Sequence, residues 1–531
     1  MRARTRRAAA LVALAALLAA CQPARSDVSS TAPPAAAPVP ADCPGDPERP
    51  KRQLRGAWIA TVHHIDWPSR AGLSAAEQQE EYRALLDEAV ALNLNAVFVQ
   101  VRPQADAFYP SAYEPWSRWL TGEQGADPGY DPMEFLVAET HARGLEFHAW
   151  FNPYRIGEYE LEELHPDHPA RRHPGWTVRY GGALHYNPGL PHVRDFVADA
   201  IVDTAVRYDV DGVHFDDFFY PYPVAGEEFD DAAAYAAHGG GAADRDDWRR
   251  ANVDALVSQV SARLRAAKPW VKFGISPFGV WRNAATDPSG SDTRAGVQNY
   301  DDLHADVRTW IRSGWIDYVV PQLYWPRGFT IADYDVLVPW WAAEVDGSDT
   351  QLYIGQAAYM AGEDDPAAWR DPGELASHLA ANREYPQVAG DLYFSMTSLG
   401  SNAAEAAGLL RAGPYAAPAL LPEPTRAATG RPPPGPVGGL RAAAGPDGAV
   451  ELAWSPAERA RAYAVYRVEE AAAGDPCALA DASRLIAVVP ATGEPAHTDP
   501  APPEGTAGYT VTALDRLHAE SAPAPLVPPA S

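Results

Sequence analysis

Short apolar runs alternate with helix-like segments along residues 51–420. The runs are rich in β-branched and aromatic residues, and segments of helical periodicity separate them, a pattern typical of βα units in a parallel sheet. Asp131-Pro132 and Asp371-Pro372, each with Glu three residues after the Asp, predict helix starts. Eight such units predict an α/β fold, a (β/α)₈ TIM barrel. An open doubly wound sheet is the alternative, but no glycine-rich nucleotide loop follows the first strand. The runs are RGAWIATV, NAVFVQVRP, EFHAWFNPYR, DGVHFDDFF, KFGISPFGVW, DYVVPQLYW, LYIGQAAY and DLYFSMTSL.

The pattern changes after a Pro-rich linker at residues 421–437. Residues 438–531 contain short alternating strands between Gly/Pro turns, including VELAWSP and YTVTALD. This spacing predicts a small all-β, immunoglobulin-like sandwich. The segment resembles a fibronectin type III domain, which implies a spacing or binding role.

The first 20 residues are typical of an export signal. Four arginines precede the apolar run AAALVALAALLAA, which is too short to span a bilayer and ends at Leu-Ala-Ala-Cys21. The ending resembles a bacterial lipoprotein signal, which implies that Cys21 becomes a lipidated N-terminus; an ordinary secretory signal is the alternative. Residues 21–50 then form a Pro/Ala-rich flexible tether. We therefore expect an exported protein held at the cell membrane or envelope by its lipid anchor alone.

Composition narrows the class of partner. The chain has 43 Lys and Arg against 70 Asp and Glu, a formal net charge of −27, which argues against nucleic acid. Neutral or polyhydroxylated ligands remain open. In an exported chain Cys43 and Cys477 could form a disulfide, although two free thiols explain the count equally well.

Polar side chains occur where the predicted strands end. In a barrel the active site lies at the C-terminal ends of the strands, and residues two apart share a face. Several polar groups meeting at one mouth favour a functional pocket over an apolar core. The face-sharing sets are Gln100 with Arg102; His148, Trp150 and Asn152; His214 with Asp216; and Gln322 with Tyr324.

The motif HFDDFFYPYP places Asp216 and Asp217 together at the end of the fourth strand. Two neighbouring carboxyl groups can serve glycosidic cleavage, because repulsion separates their pKa values and lets one hold a proton while the other stays charged. A helix cap or a cation site is the alternative interpretation of the pair.

Several motifs occur in one order along residues 51–420. They are RGAWIATVHHIDWPS, VQVRPQADAFYPSAYEPWSRWLTGEQG, DPMEF, HARGLEFHAWFNPYR, GVHFDDFFYPYP, DWRRANVDALV, GISPFGVWRN and VVPQLYWP. In this order they resemble the bacterial glycosyl hydrolase-like family 10. The resemblance implies a TIM barrel, an exported envelope protein and a glycoside hydrolase acting on a polysaccharide, in some members a cell-wall glycan. It implies no organic cofactor and no metal.

In a common arrangement of retaining barrel glycosidases, an acid follows strand four and the nucleophile lies at the end of strand seven. The seventh predicted strand of this chain ends without an acid, so a second catalytic carboxylate must come from elsewhere. Adjacent acids at the end of strand four resemble the arrangement in retaining β-N-acetylhexosaminidases, which implies that Asp216 and Asp217 are the acid and the partner orienting a substrate acetamido nucleophile. The sequence does not assign the two roles. The residues expected to bind substrate are Arg102, Asp106, His148, Trp150, Asn152, His214, Trp281, Gln322, Tyr324 and Trp325.

Three alternatives stay open. Two-carboxylate hydrolysis would use Asp106 or Asp292 across the cleft, with Asp66 a further acid on a loop. A metal-dependent amidase or deacetylase would assemble ligands from His63, His64, Asp66, His148, His214 and Asp216. A lipoprotein that binds glycan without turnover is the third, since resemblance to hydrolases does not prove hydrolysis.

Overall fold

A computed structural model describes residues 43, 45–46, 49–428 and 431–529. The predicted signal and Cys21 lie outside the described residues, so lipidation and anchoring remain predictions. Within the described part of the chain, no helix is long and apolar enough to cross a membrane.

Eight parallel strands close into a barrel, which confirms the predicted fold class. The strands are β1 Leu54–Ile59, β2 Ala96–Arg102, β3 Glu146–Phe151, β4 Gly212–Phe215, β5 Lys272–Ile275, β6 Tyr318–Val319, β7 Gln351–Gln356 and β8 Val388–Tyr393. β1 pairs with both β2 and β8, joining Trp58 to Phe98 on one side and Gly56 to Leu392 on the other. Every residue of β1, β2 and β3 is buried, because helices cover the outside and side chains fill the inside.

The helices begin at recognisable caps. Asp131 caps its helix by accepting a hydrogen bond from the Glu134 amide, as the sequence predicts. The expected start at Asp371 is wrong: its side chain accepts from the Gly373 amide in a tight turn, and the helix begins at Glu374. The α-helices in the barrel and its linker are Ala75–Ala91, Arg118–Thr121, Pro132–Ala142, Pro169–Arg172, Pro191–Arg207, Ala232–His238, Arg245–Ala267, Asn299–Asp302, Val307–Arg312, Tyr334–Val345, Glu374–Asn382, Met396–Leu399, Ala404–Ala412 and Thr425–Ala428.

The remaining sheets are antiparallel. A small sheet in the loop after β3 consists of Arg155–Gly157, Thr177–Tyr180 and Ala183–Tyr186. The C-terminal all-β region has two three-stranded sheets that share an apolar core, in which Trp454 packs edge-on against Tyr463. Their strands are Arg441–Ala444, Val450–Ala453 and Ala496–Asp499 in one sheet, and Ala462–Glu469, Leu485–Pro490 and Thr506–Leu514 in the other.

The C-terminal region contacts the N-terminal end of the barrel through charged groups. Glu146 on β3 accepts from Lys272 Nζ at 2.7 Å and contacts His518 Nε2 at 2.6 Å. Burial disfavours the charged form of Glu146, but Lys272 and His518 outweigh it and hold its pKa well below the usual value. The N-terminal end of the barrel and the C-terminal region therefore meet at an ion-paired junction. A disulfide also joins Cys43 to Cys477, the pairing that the sequence left open beside two free thiols.

Candidate active site

The C-terminal ends of the barrel strands surround a pocket of about 340 Å³. All eight strands, or residues no more than three positions after them, contribute to its wall, as expected for a TIM barrel. In strand order the contributions include Trp58, Gln100, Trp150, Asp216 and Asp217, Ser276, Gln322, Tyr359 and Phe394.

Asp216 follows β4 directly and lies in the pocket floor, 5% exposed. Its Oδ2 accepts hydrogen bonds from Trp150 Nε1 at 3.2 Å and from Asn152 Nδ2 at 2.5 Å. Its Oδ1 accepts from the Phe218 amide at 3.1 Å. Asn152 is held in turn by Gln100, whose amide donates to it at 2.8 Å. These contacts fix the carboxyl group in one orientation.

Asp217 lies beside it, 6% exposed. The Tyr222 hydroxyl donates a short hydrogen bond to its Oδ2, and Gln322 Nε2 donates to its Oδ1 at 2.9 Å. The Gln322 amide also donates to the Ser276 carbonyl at 2.9 Å, which fixes its orientation. Asp217 is thus supported by groups from the loops after β4 and β6.

Burial perturbs both carboxyl groups. Burial, together with the charge of Asp217, raises the pKa of Asp216 to about 7. Burial also raises the pKa of Asp217, opposed by the Tyr222 and Gln322 hydrogen bonds. Since two neighbouring buried carboxyl groups resist double ionisation, the pair retains one proton near neutral pH. It can therefore supply an acid and a charged group at the same time.

Aromatic side chains form much of the pocket wall. Trp58, Trp150, Tyr324 and Phe394 line it, and the rim carries Ile65 and Tyr359, which are 43% and 40% exposed. Flat apolar faces next to fixed polar groups suit sugar rings, which have both apolar faces and hydroxyl edges.

Arg102 does not line the pocket, contrary to the sequence expectation that it contacts substrate there. The register between β2 and β3 shifts between Gln100 and Arg102, so the two side chains do not share a face. Arg102 is fully buried and donates to both carboxylate oxygens of Glu114, and to the backbone carbonyl groups of Asn152 and Pro153. With its donors used in this way, it supports the loop that carries Asn152.

His148 and His214 lie below the pocket, inside the barrel, rather than against substrate. His148 is fully buried between Glu146 and Tyr318, at 3.0 and 2.9 Å. His214 Nε2 contacts Trp58 Nε1 at 3.1 Å. Burial lowers the pKa of both imidazoles, so they are neutral packing groups of the barrel interior.

Three more expected contacts also lie outside the pocket wall. Trp281 stacks on Trp340, with ring centroids 5.9 Å apart, and Trp325 packs edge-on against Phe278. Asp106 is fully buried away from the pocket, and burial raises its pKa to about 6. These side chains belong to loop and core packing. Asn152 does not line the pocket, but its side-chain amide donates a hydrogen bond to Asp216. Trp150, Gln322 and Tyr324 line the pocket as expected.

The other expected carboxylates are not in the pocket. Asp66 is buried and accepts hydrogen bonds from the Ala60 and Thr397 amides, and Asp292 is exposed on a loop. Among the described residues that line the pocket, Asp216 and Asp217 carry the only two carboxyl groups.

The ligand set of the metal alternative does not assemble. The ring of His63 packs against Trp119, and His64 Nδ1 contacts the Pro68 carbonyl, while His148 and His214 lie in the barrel interior. In the part of the chain that the structure describes, no three His, Cys, Asp or Glu side chains form a group suited to a metal ion.

Comparison with known proteins agrees with this architecture. The family model described as Glycosyl hydrolase-like 10 matches residues 53–370. The chain belongs to this family. As a glycosyl hydrolase-like 10 protein with a TIM barrel, it is an enzyme of the glycoside hydrolase class.

Two curated relatives carry the same class name. "Glycosyl hydrolase YngK" of Bacillus subtilis (strain 168) is 54% identical over 375 residues, covering 70% of this chain and 74% of the relative. "Glycosyl hydrolase DigH" of Escherichia coli (strain K12) is 40% identical over 411 residues, covering 73% and 92%. Among solved structures, the PgaB (BpsB) glycoside hydrolase domain from Bordetella bronchiseptica is 13% identical with a TM-score of 0.43, covering 67% of this chain and 99% of that one.

Several pocket residues of this glycosyl hydrolase-like 10 protein were missed in the sequence. Tyr222 lies five residues after Asp217 inside the quoted acidic motif, and this short spacing is the signal that could have indicated a contact with the carboxylate. Trp58 on β1 and Ser276 directly after β5 satisfied the strand-end rule and were overlooked. Arg155 closes the third predicted run, EFHAWFNPYR, and lies four residues beyond the end of β3, so the strand-end rule could also have indicated it.

Proposed function

We propose that this glycoside hydrolase cleaves an O-glycosidic bond next to an N-acetylated sugar, in a cell-envelope glycan of the peptidoglycan-strand type. The proposal rests on one observation: the carboxyl groups lining the pocket, among the described residues, are the adjacent Asp216 and Asp217. Two-carboxylate hydrolysis needs acids on opposite sides of the scissile bond, about 5–9.5 Å apart. Two adjacent carboxyl groups at the end of one strand suit a mechanism in which the substrate's own acetamido oxygen attacks the anomeric carbon.

Asp216 is the proposed general acid. The pair retains one proton, and burial, together with the charge of Asp217, raises the pKa of Asp216 to about 7, so the proposal places that proton on Asp216. A proton on Asp216 can pass to the leaving glycosidic oxygen as the bond breaks.

Asp217 is the proposed charged partner. Hydrogen bonds from the Tyr222 hydroxyl and the Gln322 amide stabilise its carboxylate. It would orient the acetamido N–H and balance the positive charge that develops on the cyclic intermediate, while the Tyr324 hydroxyl would donate to the acetamido oxygen. Water then opens the intermediate with Asp216 as base, so the anomeric configuration is retained.

We also propose that the protein is exported and carries a lipid on Cys21. The N-terminal pattern would place the enzyme at the membrane, where envelope glycan is its available polymer. The C-terminal all-β region, which the sequence likens to fibronectin type III, would act as a spacer or glycan-binding module.

The test separates the roles of the two aspartates. Reducing-end release is measured on peptide-stripped peptidoglycan and chitooligosaccharides, and phenol release on aryl N-acetylglucosaminides with an activated leaving group. Asp216→Asn should abolish release from the glycans but retain much of the aryl activity, because a good leaving group needs no proton. Asp217→Asn should lose both.

Asp292→Asn serves as the matched control, since that carboxylate is exposed and outside the pocket. An inverted product, detected by NMR of the newly released anomeric centre, would contradict the acetamido mechanism. Binding of the glycans without release by the wild-type protein would instead support a binding lipoprotein.

A further inference from the structure

Gln100 connects the loop after β1 to the residues that hold Asp216. Its side chain lies on β2, is 1% exposed, and accepts hydrogen bonds at Oε1 from the backbone amides of Thr61 and Val62, both at 3.0 Å. Its Nε2 donates to Asn152 Oδ1 at 2.8 Å, and Asn152 Nδ2 donates to Asp216 Oδ2 at 2.5 Å. Gln100, Asn152 and Asp216 thus form a continuous chain of hydrogen bonds, here named the amide relay.

The two backbone amides decide which way the amide relay points. A backbone N–H group can only donate, so the atom of Gln100 that faces Thr61 and Val62 must be its oxygen. The NH₂ group of Gln100 then faces Asn152, and only an oxygen of Asn152 can accept from it. Turning the Asn152 amide over would oppose two NH₂ groups in a buried position, where each would lack an acceptor. The amide relay therefore directs Asn152 Nδ2, not Oδ1, at Asp216.

This direction determines which oxygen of Asp216 can carry a proton. Oδ2 accepts from both Asn152 Nδ2 and Trp150 Nε1, so the two acceptor positions of that oxygen are filled. Among the described residues Oδ1 accepts only from the Phe218 amide, at 3.1 Å, and one position stays open. A proton on Asp216 consequently lies on Oδ1. With the Asn152 amide reversed, its oxygen would instead accept that proton in a hydrogen bond and hold it.

We propose that Gln100 is a positioning residue for the acid: by fixing the Asn152 amide, it keeps the proton of Asp216 free for the leaving oxygen. This inference rests on the proposed function, in which Asp216 is the general acid. Gln100 acts through Asn152. Because Gln100 also binds the Val62 amide, and Val62 lines the pocket, the same side chain joins the pocket wall to the acid.

The other charged and titratable groups near Asp216 lie outside the amide relay. Burial, with the charge of Asp217, raises the pKa of Asp216, and the hydrogen bond from Asn152 lowers it. Among the described residues, none of the other groups that face Asp216 has a side-chain hydrogen bond to Gln100 or Asn152, so a change at Gln100 reaches the acid through Asn152. These groups are Asp217 and Tyr222 after β4, Arg155 beyond β3 and Tyr324 beyond β6.

The experiment breaks the amide relay at two points. Gln100→Met removes the amide and keeps a side chain of similar length, and Asn152→Leu removes the donor itself. The pKa of Asp216 is measured from the alkaline decline of kcat/KM with pH. It is measured independently from the pH dependence of the Tm difference between each protein and the same protein carrying Asp216→Asn.

Each variant should raise both measured values by about one pH unit, because the charged form of Asp216 loses a donor. The two variants should differ in kcat. Gln100→Met should lower kcat about 10-fold near the acidic end of the profile, with KM little changed, since the freed Asn152 amide can turn and hold the proton. Asn152→Leu has no amide oxygen and should not show this loss.

The double variant tests whether Gln100 acts through Asn152. If it does, Gln100→Met should add nothing to Asn152→Leu in either measurement, whereas two independent effects would add. Gln104→Met is the matched control, because Gln104 is also buried, at 2% exposed, and its Oε1 accepts from Trp119 Nε1 outside the amide relay. It should leave the pKa of Asp216 unchanged even where it lowers Tm.

Neutron crystallography of the deuterated wild-type protein needs no variant. It should locate one amide deuteron of Asn152 directed at Asp216 and one of Gln100 directed at Asn152. The reverse orientation would overturn the inference, as would an unchanged pKa of Asp216 in Gln100→Met or a shift that adds in full to that of Asn152→Leu. If wild type cleaves no glycan, the proposed function fails. The unfolding measurements then decide the relay: a shift in Gln100→Met that vanishes on the Asn152→Leu background supports it, and no shift overturns it.

Discussion

Replacing Asp216 by asparagine should cost activity and stabilise the protein at alkaline pH. The carboxyl group is buried with a folded-state pKa raised to about 7. Between about pH 4 and pH 7 the folded chain therefore binds more protons than the unfolded chain, and stability falls as pH rises through this window. Above the folded-state pKa the wild-type protein carries the full cost of burying this charge, and an amide removes that cost.

The raised pKa of Asp216 and its hydrogen bonds determine how much stability the substitution should add. A pKa raised from 3.8 to about 7 corresponds to about 4 kcal/mol at pH 8, at about 1.4 kcal/mol per pKa unit. The oxygen of an asparagine at position 216 can still accept from Trp150 and Asn152, but its amide faces the Phe218 N–H and loses one hydrogen bond, about 1 kcal/mol. The net gain is about 3 kcal/mol at pH 8 and close to zero near pH 4.5.

The assay is thermal unfolding of both proteins by calorimetry across that pH range. Asp216→Asn should raise Tm by roughly 3–6 °C at pH 8 and leave it nearly unchanged near pH 4.5. Asp292→Asn, at an exposed site, should show no such pH dependence. A variant that is equally or less stable than wild type at pH 8 would refute the claim that burial of this charge strains the folded state.

Three further outcomes are expected. Glycan hydrolysis should decline as pH rises through about 7, because Asp216 loses its proton there. A pH–rate profile of kcat/KM measures this alkaline decline. Tyr222→Phe removes the hydroxyl that stabilises Asp217 and should lower kcat about 10-fold or more, with the fold retained by circular dichroism. Glu146→Gln leaves Lys272 buried without its counter-charge and should destabilise the protein by about 3–5 kcal/mol in thermal unfolding, whereas an exposed glutamate changed in the same way should not.

The barrel and the acidic pair could be predicted from the sequence because both depend on local pattern. Each strand is a run of apolar residues, and the residues that follow a strand lie at the mouth of the barrel. This places Asp216, Asp217, Gln322 and Tyr324 correctly without any knowledge of packing. The rule failed where a strand was irregular or deep, as at Arg102 and His148.

Tertiary structure decided what those residues do. A one-residue register shift turned Arg102 toward Glu114, 12 residues further on, and strand depth placed His214 below the floor rather than in it. The sequence by itself determined the fold class and the position of the two aspartates, since alternation and strand ends are local properties. Only the folded chain determined that no other described carboxylate shares their pocket and that Arg155 does, because loops distant in sequence form its walls.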